Sequence, residues 1–169
     1  VGLEAQAVEI EVDSVRADKP FLVIVGLPDA AVREAKDRVL TAIKNSSCDI
    51  SEVACTVNLA PADLKKEGSA YDLPIAIGLL SNLGLVKKEV LSQYLIVGEL
   101  GLGGDTRPVV GALAYAHLAK ERKLKGILLP SANGAEAALV PNIEVLAADT
   151  LKDAIAFLNG NMQRHKRPE

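Results

Sequence analysis

Phosphate binding is the first chemistry that residue type and spacing suggest. Gly98, Gly101, Gly103 and Gly104 crowd one stretch after an apolar run, the composition of a loop whose backbone N–H groups can cradle an anion. No Gly-Lys-Ser/Thr follows, so the lysine and the Mg²⁺-holding hydroxyl of such a loop are missing, and Thr106-Arg107-Pro108 reads as extended rather than helical. The glycines are therefore expected to turn a hairpin, and no nucleotide is expected to bind this chain. Metal chemistry would need convergent Cys, His or carboxylates. His117 falls in the middle of a predicted helix and His165 in the tail, neither at ligand spacing, and no metal site is predicted. Cys48 and Cys55 read as small buried hydrophobes of a protein kept in a reducing compartment.

Cations cluster twice, at Lys120, Arg122, Lys123 and Lys125 and again at Arg164, Lys166 and Arg167. The first group suits the C-terminal end of a helix, where cations complement the dipole, and the second a flexible, solvated linker. The alternative is contact with a phosphate backbone. With no interleaved aromatics, base stacking is not expected. The formal net charge of −3 offers no global attraction to nucleic acid, so any such contact must be local.

The elements that must position these residues follow from periodicity. A chain of 169 residues has room for one domain with a proper core. Aromatics at 3% leave that core to Val, Ile, Leu and Ala, as suits a mixed α/β sheet. Residues 8–13 alternate apolar and acidic side chains as a half-exposed strand, while the continuous run 21–25 predicts an interior strand covered on both faces. Gly26-Leu27-Pro28-Asp29 opens a helix with Val32, Ala35, Val39 and Ala42/Ile43 on its packed face and Glu34 with Arg38 as an i,i+4 pair. A third strand covers 53–59. Asp72 reads as the N-cap of a second helix, with Pro74 early in it and Leu73, Ile77 and Leu80 on its buried side. Strand 95–97, the hairpin, helix 110–122, strand 127–129, helix 132–139, strand 143–146 and helix 151–158 complete an α/β order. No apolar run reaches the roughly 18 residues that span a bilayer and no leader precedes the first strand, so a soluble, cytoplasmic piece of a longer protein is expected.

Three stretches are more specific than composition: Gly2-Leu3-Glu4-Ala5-Gln6, then Ile24 through Gly26, Pro28 and Asp29 to Glu34, then Val57 through Asn58, Pro61, Asp63, Lys65, Lys66, Gly68 and Ser69 to Asp72-Leu73-Pro74. In order and spacing they resemble the N-terminal domain of the magnesium-chelatase-like AAA+ ATPases of the competence-protein ComM type, over nearly the whole chain. The resemblance implies a single α/β domain of Lon-protease-like, left-handed βαβ topology, the fold of the ribosomal protein S5 domain 2-like superfamily, also found in the GHMP kinases. That domain would occupy residues 1–159, with 160–169 a basic linker toward an AAA+ module outside the chain. The resemblance further implies ATP and Mg²⁺ in that module rather than here, a hexameric full-length protein, no membrane, and a link to DNA branch migration in natural transformation, with this domain scaffolding the assembly or guiding DNA.

A Lon-like fold raises the question of a Ser-Lys dyad, in which a lysine of lowered pKa deprotonates a serine nucleophile. Lon-type proteases carry Gly-Pro-Ser-Ala-Gly leading into a helix, and the corresponding stretch here is Gly68-Ser69-Ala70-Tyr71-Asp72, so the nucleophile position falls on Ala70. The lysine of their Gly-Gly-Leu-Lys pattern falls on Leu113. Both partners are absent, and the chain is expected to be non-catalytic. Ser69 with Lys65 or Lys66 is the substitute pair of a cryptic peptidase, though a serine at a helix start more often binds backbone N–H groups. A plain oligomerisation domain is the other rival. Any family-specific role is expected in the loops Gly26 to Asp29 and Pro61 to Asp72, with Asn58 ahead of the second, whose residues are least needed for a core; turn and cap chemistry is the equal alternative.

Overall fold

Alternating side chains make Glu9–Arg16 the first strand, β1, whose Ile10 and Val12 pack on the core while Glu11 and Asp13 face solvent. The structure, a computed structural model, describes residues 9–18, 21–26, 29–48, 53–60 and 70–160. β1 pairs antiparallel with β3 (Val53–Ala60), and β2 (Phe21–Val25) pairs parallel with β3 on its other side, giving the order β1-β3-β2. Helix α1 (Asp29–Asn45) crosses between the two parallel strands and buries Ala35, Val39, Ala42 and Ile43, the predicted stripe.

One expectation fails here. The run 21–25 predicts an interior strand, but among the described residues β2 lies at the edge of its sheet, with Leu22 and Ile24 buried and Phe21 and Val25 59% and 47% exposed. A continuous apolar run shows that both faces tolerate burial, not that both are covered. The Lys36 ammonium lies 6.0 Å from the centre of the Phe21 ring, which gives that exposed ring a cationic neighbour.

Helix α2 (Asp72–Asn82) is apolar on nearly every side and buries Leu73, Ile75, Ala76, Ile77, Leu79 and Leu80, which makes it the central helix. Gly78 lets it approach β1, since a Cβ there would lie 3.2 Å from a Val12 methyl group. The approach is fixed by Asn82, whose amide donates to the Val12 carbonyl at 3.1 Å and whose oxygen accepts from the Ser14 hydroxyl.

After the short α3 (Lys88–Leu91), a second sheet begins with β4 (Tyr94–Ile96). The predicted hairpin follows as β5 (Glu99–Leu100) and β6 (Thr106–Arg107). Helix α4 (Ala112–Glu121) starts later than the pattern 110–122 suggests, because Gly111 takes a positive φ of 87° and breaks the approach. Strand β7 (Gly126–Pro130) follows. The expected helix 132–139 divides into a 3₁₀ turn (Ser131–Asn133) and α5 (Gly134–Ala137). Strand β8 (Glu144–Ala148) and helix α6 (Leu151–Leu158) close the order, the helix capped by Thr150, whose hydroxyl accepts from the Asp153 N–H at 3.0 Å.

The second sheet is all parallel in the order β4-β7-β8, and β7 is buried along its whole length. Leu128, Leu146 and Ala148 face the core shared with α1, α2 and the first sheet. Ile127, Leu129 and Val145 face a second cluster made with Ala112, Ala116 and Ala119 of α4, whose small side chains let that helix lie close. The chain is thus an α/β domain with parallel strands joined by helices. Among the described residues, no helix is long and apolar enough to cross a membrane.

Candidate functional site

The parallel pairing of β2 and β3 sets their C-terminal ends side by side at one end of a sheet, with Val25 the Cα partner of Asn58, the end at which open α/β sheets place their ligands. Gly26 takes a φ of 105°, a conformation that side chains disfavour, and Asp29 is the first residue of α1. Asn58 is exposed beside its other partner, Glu11. Pro28, Pro61, Asp63, Lys65, Lys66, Gly68 and Ser69 lie outside the described residues.

Asp72 has a different task from the one its position suggests. It is the first residue of α2 rather than its N-cap; Tyr71 holds that place, in a helical conformation and without a side-chain bond to the helix. The Asp72 carboxylate instead turns inward and is 1% exposed. Arg38 donates to it through Nε at 2.6 Å and Nη2 at 3.0 Å, and the Leu100 N–H donates at 3.1 Å. This forked ion pair ties α1, α2 and β5 together, while the predicted partner Glu34 lies 3.9 Å from Arg38 and is mostly exposed. Burial, the larger influence, raises the Asp72 carboxyl above its ordinary range, and the bonds from Arg38 and Leu100 oppose that rise. The same fork keeps Arg38 charged.

The two positions matched to a Ser-Lys pair are both held by backbone bonds. The Ala70 carbonyl accepts from the Gly98 N–H at 2.9 Å, and Gly98 in turn accepts from the Leu73 N–H at 2.9 Å. Gly98 allows this approach, since a Cβ would lie 3.1 Å from a Leu73 methyl group and 3.2 Å from the Pro130 ring. Leu113, in the first turn of α4, donates its N–H to the Glu136 carboxylate at 2.9 Å, so an acidic side chain serves the positive end of that helix. Just before it, Asn133 pairs with both backbone groups of Val109, at 2.9 and 3.0 Å. Burial raises the phenols of both Tyr71 and Tyr115, and the Tyr115 phenol adds to the rise at Tyr71.

Arg38, Asn133 and Glu136 could not have been found by spacing. Their partners stand 34, 24 and 23 positions away along the chain.

The glycine loop closes on itself. Gly101 donates its N–H to the Asp105 carbonyl and Gly104 donates to Gly101, at 2.8 and 3.0 Å. The Asp105 carboxylate folds against Gly101, where any Cβ would collide with it. That carboxylate is half-exposed and lies 3.4 Å from the Arg107 guanidinium. Further bonds seal it to its neighbours, from Asn45 to the Leu102 carbonyl at 2.7 Å and from the Leu151 N–H to Gly104 at 2.8 Å.

Among the described residues, no three of His, Cys, Asp and Glu converge as metal ligands. His117 is exposed on α4, Cys55 is buried and Cys48 half-buried, and burial raises both thiols. Lys120, Arg122 and Lys123 are exposed around the end of α4, where Lys123 takes a φ of 59°. Lys125 is exposed too, but its ammonium lies 3.8 Å from Glu144. Arg164, His165, Lys166 and Arg167 lie outside the described residues.

The fold is that of an α/β domain in which the parallel strands β2 and β3 end side by side. Residues 8–133 match the family described as subunit ChlI of Mg-chelatase, and the chain belongs to that family. It is 41% identical over 160 residues to the competence protein ComM of Haemophilus influenzae, covering 95% of this chain and 31% of that protein. It is 42% identical over 160 residues to YifB of Escherichia coli, with the same coverage, and 38% identical over 160 residues to a Mycobacterium tuberculosis protein, covering 95% of this chain and 32% of that one. The chain thus spans about a third of the length of the curated relatives it matches.

Proposed function

We propose that this chain is a non-catalytic, N-terminal accessory domain of a magnesium-chelatase-like AAA+ ATPase of the competence-protein type. The observation that carries this reading is the combination of family membership with a match to only 31% of the length of a competence protein. ATP and Mg²⁺ belong to a module elsewhere in the same polypeptide, which works in the cytoplasm as a hexamer linked to DNA branch migration. This domain, Lon-like in topology, scaffolds that assembly or guides DNA. Ala70 and Leu113 stand where a Lon-type enzyme has its serine and lysine, and the glycine stretch lacks the lysine and hydroxyl of a nucleotide cradle.

The residues carrying the DNA-guiding role are Lys120, Arg122 and Lys123, with Lys125 next to them in sequence and the basic tail Arg164, Lys166 and Arg167 near the end of the chain. Electrostatic contact of this kind weakens steeply with salt. Charge reversal at Lys120 and Lys123 should lower DNA affinity roughly equally for all sequences and flatten its salt dependence. A DNA affinity that ignores salt, or no binding by the longer polypeptide, would remove the guiding role.

A second reading, a plain oligomerisation domain, is favoured by the outer face of the first sheet, where Phe21, Val25 and Val15 are exposed. Sedimentation of the isolated chain distinguishes the two.

A further inference from the structure

Two outer layers of the domain carry exposed apolar side chains, and they lie at opposite ends of it. The inner face of the first sheet packs through Leu22, Ile24, Cys55 and Val57 on α1 and α2, in one cluster with Leu128 and Leu146 of the second sheet. Helix α4 covers the far face of that second sheet. The outer face of the first sheet and the exposed side of α4 therefore cannot meet within one copy.

Register lays out the first of these faces. Phe21, Val23 and Val25 form an apolar column on β2, and level with them on β1, across β3, stand Val15, Asp13 and Glu11. Phe21 and Val15 are largely exposed, and so are the two carboxylates. Lys36, beside the Phe21 ring, is the cation at the rim.

The opposite face has the complementary make-up. Val110 is 96% exposed, and its neighbours hold it there: Asn133 clamps both backbone groups of Val109, and Gly111 makes the left-handed turn into α4. Leu113, and Leu139 just past α5, add exposed apolar surface. His117 and Lys120 continue the exposed side of α4, and Arg122 and Lys123 follow its end. The acids here are Glu121 and Glu136, and Glu136 accepts from the Leu113 N–H. One face is thus apolar and acidic, the other apolar and basic.

Such a pair suits a contact between copies in which unlike surfaces meet. We propose that copies of this chain associate head to tail, the Phe21 column of one seating against Val110, Leu113 and Leu139 of the next. The pairing rests on the oligomerisation reading above and names its two surfaces. An interface of this kind repeats, closing a ring or running on as a filament.

Sedimentation of two single variants, alone and mixed, tests the pairing. The wild-type chain should grow with concentration beyond a dimer, since each added copy brings a free face. Phe21→Lys sets a cation against the basic face and Val110→Glu a carboxylate against the acidic one, and each should weaken self-association about tenfold. An equimolar mixture should recover a 1:1 complex that grows no further, because only the sheet face of Val110→Glu and the helix face of Phe21→Lys are intact. Thermal melts check that both variants fold, and Val25→Lys replaces Phe21→Lys if that one does not.

A wild-type chain that stays monomeric overturns the proposal, and the oligomerisation reading with it. A wild type that stops at a dimer, a single variant that associates as wild type does, or a mixture that forms no complex overturns the head-to-tail pairing alone. Copies would then meet through another surface.

Discussion

Cutting Asp72 back to alanine is expected to destabilise the fold by about 3 kcal/mol, at the low end for breaking a buried ion pair because the Arg38 side chain keeps 25% exposure. For a domain of this size that corresponds to a fall in Tm of about 6–12 °C. The cost comes from what is left behind: Arg38 loses both arms of its fork, and the buried Leu100 N–H loses its acceptor. Asp72→Asn should be milder, since a neutral amide can still accept from Leu100. Replacing both partners by Arg38→Met and Asp72→Leu should recover much of the loss, and denaturant unfolding of the four species gives the coupling. An Asp72→Ala protein as stable as wild type would show that the pair does not hold α1, α2 and β5 together.

The pH dependence has a definite sign. Burial raises the folded-state pKa of Asp72, so the contribution of this carboxyl is fully present below the ordinary carboxylate value of about 3.9 and declines as pH rises through the raised one. The fork from Arg38 and the Leu100 N–H limits that decline.

A second large effect is expected at Gly126. It opens β7 where β8 lies alongside, and a Cβ there would collide with the Glu144 carbonyl oxygen. The obstacle is backbone, which cannot swing aside as a flexible side chain can. Gly126→Ala should therefore separate the start of β7 from β8 and cost about 3 kcal/mol, at the upper end for overpacking. The same displacement would move Glu144 away from Lys125 and Tyr94. Amide hydrogen exchange should then increase along the β7 and β8 pairing while β1 and β3 stay protected. Uniform loss of protection, or none, would contradict this placement of the strain.

Much of the architecture is legible from periodicity because the buried positions recur where each element's geometry demands. The stripe of α1, the alternation of β1 and the spacing of Leu151, Ala154 and Leu158 in α6 each state which face packs. The run 21–25 misleads because hydrophobicity reports tolerance of burial, and whether a neighbour covers Phe21 depends on the rest of the fold. Asp72 misleads for a related reason. Its type and place fit an N-cap, but the choice between capping and pairing is made by Arg38, one helix earlier and 34 positions away.

The motif stretches are visible as sequence, and the parallel register of β2 and β3 adds that Val25 and Asn58 lie side by side near the ends of their strands. The glycine stretch departs from a nucleotide cradle in its missing lysine and hydroxyl and in the extended segment that follows, and the hairpin expected in its place is the one observed. The Lys125, Glu144 and Tyr94 cluster had no sequence signal, since it is assembled from the starts of three strands.

Nucleotide turnover decides whether ATP chemistry lies outside these 169 residues. ATP hydrolysis should be measured on the isolated chain beside the longer polypeptide that contains it. Mg²⁺-dependent turnover is expected from the longer protein and none from the chain alone; turnover by the isolated chain, abolished by a substitution within it, would place ATP chemistry here instead.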